Sequence, residues 1–192
     1  MVVANYKLHY KLRQVSFPFD ELVKLIPRRG KLWDVGCGFG HLVKLLLQRN
    51  PRQKIYAFDI DSTKLRVSGV KRGVPKSRVK TITLIDVLYL MTDGQKIKLL
   101  QKLFNKLQRG GKLIIAIVPK DRSWQYYLAW LQEWVMVKLL GKTESKEKAI
   151  NFETENWLRQ NLDHIGFRQI KRYQLPRTLF FWHKHVVFVA TK

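Results

Sequence analysis

The chain has 192 residues, 46% of them apolar and 27% charged, a balance that excludes an intrinsically disordered polymer and suits one domain-sized core. Its 37 Lys+Arg against 14 Asp+Glu give a formal charge of +23, so the surface attracts polyanions such as nucleic acid, anionic lipid headgroups or phosphorylated substrates. A single cysteine, Cys37, excludes an internal disulfide and a cysteine-rich zinc site, and no metal centre is expected. Residues 1–14 lack the apolar segment and cleavage site of a secretory signal, and no run of about 18 apolar residues marks a membrane-spanning helix. The expected location is cytoplasmic, with a peripheral membrane position as the variant.

In chain order, residues 19–26 carry apolar positions at helical spacing, stopped by Pro27 and Gly30. Residues 31–36 read as a buried strand, 41–50 as a helix and 54–60 as a second strand. Asp61-Ser62 is placed to cap a helix over 62–73. Residues 78–90 are β-branched and apolar, a third strand by composition. Residues 92–111 read as an amphipathic helix closed by Gly110-Gly111, and 112–118 as a fourth strand. Alternation of this kind predicts an α/β fold with a parallel, twisted sheet and flanking helices. Beyond it, 124–140 are aromatic and apolar, 153–165 form another helix, and 167–175 and 185–191 read as two final strands. The expectation is one domain over 1–192 with an aromatic helical insertion at about 121–150.

Between the first strand and its helix stands Asp34-x-Gly36-x-Gly38-x-Gly40. The dinucleotide fingerprint is absent, because His41 occupies the place of its third glycine. A turn of this kind can offer backbone N–H groups to a polar ligand, or can be only a tight connection. The second strand ends in Asp59, 19 residues beyond Gly40, where a carboxylate can accept hydrogen bonds from both ribose hydroxyls. That combination favours a nucleoside cofactor over a bare turn.

Residues 32–40 (LWDVGCGFG), 55–61 (IYAFDID), 84–91 (LIDVLYLM) and 107–118 (LQRGGKLIIAIV) resemble the successive motifs of class I S-adenosylmethionine-dependent methyltransferases, over about 15–120. The resemblance implies a seven-stranded, Rossmann-like sheet whose last strand is antiparallel, with S-adenosylmethionine at the carboxyl ends of the first strands. It assigns Asp34, Gly36, Cys37, Gly38 and Gly40 to the methionine and ribose side. Asp59, with Ile60 beside it, takes the ribose, and Asp86 faces the methionine end or the substrate. The chain departs from the family between Asp61 and Asp86, where 24 residues leave no room for both a third strand and its usual helix. A strand/helix unit between 62 and 80 is therefore expected to be lost or rearranged. No Asp or Glu stands there to meet the adenine amine.

The candidate proton acceptors are His41, Tyr89, His183 and His185. The last two overhang the cofactor if the sixth strand is parallel, and otherwise merely flank the final strand. No Asn-Pro-Pro-Tyr loop is present, which argues against adenine or cytosine amine methylation, and a lone cysteine inside the glycine loop argues against a cysteine nucleophile. In 123–141, Tyr126, Trp130 and Trp134 share one helical stripe and Tyr127, Leu131 and Val135 the next. Such a helix can roof an apolar substrate, lie in a membrane interface, stack bases, or pack in the core or a dimer contact. Trp124, Tyr127, Trp130 and Trp134 are the candidate substrate contacts. Lys64, Arg66, Lys71, Arg72, Lys76, Arg78 and Lys80 form one basic cluster, and Lys7, Lys11, Arg13, Arg28, Arg29 and Lys31 another. The function expected is methyl transfer to an apolar or lipid-linked acceptor near an anionic surface. The competing readings are an RNA methyltransferase and a non-catalytic polyanion-binding protein on a degenerate methyltransferase fold.

Overall fold

A computed structural model describes residues 17–61, 63–65, 67–135, 150–178 and 184–192. Among the candidates above, Lys7, Lys11, Arg13, Arg66 and His183 lie outside the described residues. Seven strands form one sheet: β1 (Leu32–Val35), β2 (Ile55–Phe58), β3 (Lys71–Arg72), β4 (Val79–Ile85), β5 (Leu107–Ile117), β6 (Arg168–Gln174) and β7 (Val186–Thr191), in the order β3-β2-β1-β4-β5-β7-β6. β1 to β5 pair in parallel, and β7 runs antiparallel to both β5 and β6. This is the mixed, Rossmann-like arrangement expected, with the antiparallel final strand inside the sheet.

Helices α1 (Phe19–Leu25) and α2 (His41–Arg49) cover one face, and α3 (Asp93–Lys106) and α5 (Glu155–Ile165) cover the other. Both faces are buried, so the central strands are continuously apolar rather than alternating. Strand periodicity sorts β1 between the layers: Leu32 packs under α1 and α2, while Trp33 and Val35 pack under α3 and α5. α4 (Trp124–Trp134) follows β5 and packs at the carboxyl ends of the strands through Tyr126 and Ala129, against Tyr89, Val118 and Phe152.

Four boundaries differ from the sequence reading. The third strand is retained, though only two residues long; the unit between 62 and 80 has lost its helix and kept its strand. Among the described residues no helix replaces 62–73. Leu65, Val67 and Val70, spaced by two and three, pack into the α1/α2 layer, and Gly69 and Gly73 take positive φ, which interrupts a helix. Asp61 caps no helix: it accepts from the backbone and hydroxyl of Thr63 and meets Lys64 at 3.3 Å. β4 stops at Ile85, and Leu88–Leu90 form a 3-10 turn. α3 ends at Lys106 rather than at the glycine pair, and Gly110 and Gly111 belong to β5. The side chain of Lys192 donates to the carbonyls of Phe104 (2.7 Å) and Leu107 (3.1 Å), so the far end of the chain caps α3.

Candidate cofactor and acceptor site

From β1 the chain adds β2 and β3 on one side and then crosses to add β4 and β5 on the other, so the strand order switches between the parallel β1 and β4; the crevice at such a switch point, beyond the carboxyl ends of the strands, is where α/β sheets bind ligands. The glycine loop leaves β1 at this point. Its backbone N–H groups are not free for a ligand, as the sequence reading had allowed. Gly36 and Cys37 both donate to the Phe58 carbonyl (2.7 and 3.1 Å), Gly38 donates to Asp59 Oδ2 (2.7 Å), and Gly40 donates to the Cys37 carbonyl (2.9 Å). The donors pin the loop to the end of β2. What the loop leaves for a ligand is space.

Gly36, Gly38 and Gly40 all lie at positive φ (+73°, +52° and +79°). A Cβ on Gly36 would run into Val87, and one on Gly40 would meet Leu65 and Val67 within 3 Å, so these two glycines serve packing. A Cβ on Gly38 would meet nothing within 4 Å. Gly38 is thus the member of the loop with an open face, and it stands against Asp59. Each Asp59 oxygen accepts one backbone N–H, Oδ2 from Gly38 and Oδ1 from Asp61 at 3.0 Å, which orients the carboxylate and leaves each oxygen a further lone pair. These residues fit a ribose and its neighbouring chain.

Asp34 is buried rather than lining the crevice. It sits on β1 opposite Thr83 of β4, whose hydroxyl donates to Asp34 Oδ1 at 2.7 Å. Cys37 is half-buried, and burial together with the charges of Asp34 and Asp59 pushes its thiol far above the usual range, so it stays protonated. Ile60 is 62% exposed. Asp86 follows β4 at φ +50°, and its N–H donates to the Ala116 carbonyl at 3.0 Å.

Ile117 of β5 pairs with Val186 of β7, so His185 reaches the carboxyl edge where Asp86 follows β4. His185 Nε2 lies 3.3 Å from Asp86 Oδ2, and both side chains are largely buried. These two residues, far apart in the sequence and read there as separate candidates, form one pair. His41 begins α2 with its ring edge against Phe19 at 4.6 Å, and burial and Lys44 lower its pKa, which keeps it neutral near pH 7. The Tyr89 hydroxyl donates to Glu133 Oε2 at 2.9 Å and its ring stacks on Phe152, so it anchors α4.

The helical stripe of Tyr126, Trp130 and Trp134 does not act as one face. Tyr126 and Ala129 point inward, while Trp124, Tyr127, Leu128, Trp130 and Leu131 are exposed, Trp124 and Tyr127 by 56% each, and Trp134 is half-buried. Among the described residues α4 is therefore a surface helix with an aromatic outer side beside the crevice, not a core helix.

Two charged residues escaped the sequence reading. Lys96 is 0% exposed: its ammonium donates to the Asn151 carbonyl at 2.7 Å, meets Asp93 at 3.3 Å and Glu153 at 3.5 Å, and lies over the Trp157 ring. Burial raises the Glu153 carboxyl to about 7, opposed by Lys96 and reinforced by Asp86. The available signal was a lysine on the same stripe of α3 as the buried Leu100 and Leu103.

The fold is that of an α/β protein of the methyltransferase type, and the crevice is its candidate cofactor site. The chain belongs to the class I S-adenosylmethionine-dependent methyltransferases: the family model described as a methyltransferase domain matches residues 7–171. Demethylspheroidene O-methyltransferase of Rhodobacter capsulatus is 28% identical over 178 residues, 83% of this chain and 42% of that protein. The chain thus spans less than half the length of this curated relative. The structure of the pyocyanin biosynthetic protein PhzM superposes with a TM-score of 0.70 at 17% identity, covering 97% of this chain and 57% of that one. A methyltransferase from Archaeoglobus fulgidus, with a TM-score of 0.64 and 11% identity, matches 84% of this chain and 86% of its own.

Proposed function

We propose that this chain is an S-adenosylmethionine-dependent methyltransferase acting on an apolar small-molecule acceptor, lipid-linked acceptors included. The observation that carries the reading is the open face of Gly38 against the oriented carboxylate of Asp59, at the switch point of the sheet. Asp59 would accept the ribose hydroxyls, Gly38 would leave room for the nucleoside, and Asp86 would stand at the reacting end. The cofactor, when bound, supplies an electrophilic methyl group on sulfur. Transfer is an in-line displacement, so the protein's part is alignment, exclusion of water and acceptance of the acceptor's proton.

The relative from R. capsulatus is named an O-methyltransferase, which supports a hydroxyl acceptor. The Asp86–His185 pair is assigned the proton of that hydroxyl, with the carboxylate orienting the imidazole. The aromatic outer side of α4 supports an apolar acceptor, which gains by leaving water against Trp and Tyr.

Calorimetric titration with S-adenosylhomocysteine tests the cofactor site. Micromolar binding is expected, with a loss of at least about tenfold in Asp59→Ala, the scale of a charge-assisted hydrogen bond. In methyl-transfer assays with apolar phenols, Trp130→Ala should raise the acceptor KM while the unfolding temperature stays unchanged. Failure of the folded protein to bind S-adenosylhomocysteine would overturn the reading and leave family membership as a statement about fold.

A further inference from the structure

Part of the positive charge is gathered in one place. Lys76 and Arg78, just before β4, and Lys98, Lys102 and Lys106 of α3 line a groove of about 540 Å³ together with Gln101 and Asn105. No carboxylate lines it, and none of its five cations forms an ion pair among the described residues. Positions 98, 101, 102, 105 and 106 fall on a single helix face, so Lys98, Lys102 and Lys106 follow one another at intervals of about 6 Å. Like charges four residues apart weaken a helix, so the row is a cost to the free protein that a bound anion would relieve. Lys106 Nζ donates to the Pro75 carbonyl at 3.1 Å, which ties the loop before β4 to the helix and holds the two walls together.

The groove lies away from the cofactor crevice. Arg78 immediately precedes β4 and Lys106 immediately precedes β5, two parallel strands, so that end of the groove is at the amino edge of the sheet. The glycine loop, Asp86, His185 and α4 are all at the carboxyl edge.

We propose that this groove binds the phosphodiester backbone of a single-stranded nucleic acid, independently of base sequence, as a tether separate from methyl transfer. The row of three lysines on the helix wall and Lys76 and Arg78 on the facing wall meet the phosphates of a strand lying between them, and the Gln101 and Asn105 amides on the helix wall donate to phosphate or sugar oxygens. One helix face and one loop make a channel for a single strand. An anionic membrane is the poorer fit: no apolar anchor lines the groove, and the exposed aromatic side chains of α4 sit at the opposite edge, where they could not insert with the groove against the bilayer. The inference does not depend on the methyltransferase reading, and its test uses no cofactor.

The test is fluorescence anisotropy of a labelled oligouridylate over a NaCl series. It compares the unaltered protein, Lys98→Gln/Lys102→Gln, and Lys44→Gln/Lys54→Gln, which removes the same charge from α2 and the start of β2. All four positions are exposed, so the fold is retained. Five phosphate contacts predict a slope of log K against log salt of about −3.5, falling to about −2 in the groove variant. Affinity at about 0.1 M salt should drop at least about tenfold in the groove variant and less than about twofold in the other. Equal losses in the two variants would overturn the proposal in favour of attraction by net charge alone. Binding to phosphatidylserine vesicles that depends on Lys98 and Lys102, without oligouridylate binding, would overturn it in favour of a membrane.

Discussion

Gly36 and Gly38 are two residues apart, share positive φ, and do different work. Gly36 is closed in by Val87, whereas Gly38 faces open space beside Asp59. Gly36→Ala combines left-handed strain with overpacking and should cost about 2–4 kcal/mol of stability in urea unfolding. Gly38→Ala carries the strain alone, about 1 kcal/mol, but puts a methyl group where the nucleoside would lie. It should therefore weaken S-adenosylhomocysteine binding at least about tenfold while the protein stays folded. Equal stability losses with unchanged binding in Gly38→Ala would show that the open face is not the ligand's. The glycine spacing and Asp59 were legible in the sequence because both are local patterns. The division of labour among the glycines was not, since Val87, Leu65 and Val67 reach the loop from other segments.

The carboxyl edge is assembled from pieces of several elements, and the buried Lys96–Glu153 contact joins α3 to the segment that leads into α5. That segment is also held by the Asn151 N–H donating to the Tyr89 carbonyl and the Lys120 N–H donating to the Glu153 carbonyl, both at 2.8 Å. Burial raises Glu153 from 4.5 to about 7, so the folded state holds this proton more tightly than the unfolded chain. Its contribution to stability is full below about pH 4.5 and is lost as pH rises through about 7, a swing of order 3 kcal/mol at most. Subtracting the urea-unfolding free energy of Glu153→Gln from that of the unaltered protein should give a difference that falls between pH 5 and pH 7 and then levels. A difference independent of pH would mean that Glu153 is ionised throughout. Neither partner announces itself in the sequence, because what makes them notable is complete burial. A lysine on an apolar stripe is the only local trace.

Over the whole molecule, the formal charge of +23 means that folding brings like charges together. Raising salt from about 0.01 M to about 0.15 M shortens the screening length from about 30 Å to about 8 Å. The unfolding midpoint should rise by several degrees over that range. A midpoint that falls instead would show that attractive surface pairs outweigh the repulsion.

By itself, the sequence determined the alternation of strand and helix, the antiparallel closing strand implied by the family motifs, the glycine loop and the acidic end of β2. The direction of the closing strand came from the family resemblance; the others rest on a periodicity or spacing within a few dozen residues, which backbone geometry converts directly into an element. Tertiary structure alone decided where α3 stops, because Lys192 caps it from the end of the neighbouring β7, and that Leu65, Val67 and Val70 pack against α1 and α2 without forming a helix. It also decided that Asp86 and His185 meet, that α4 turns its aromatic side outward, and that the basic groove stands at the edge opposite the crevice. These are facts about which residues become neighbours after the chain has folded back on itself, and pairing across the sheet is set by topology and packing rather than by any local run of residues.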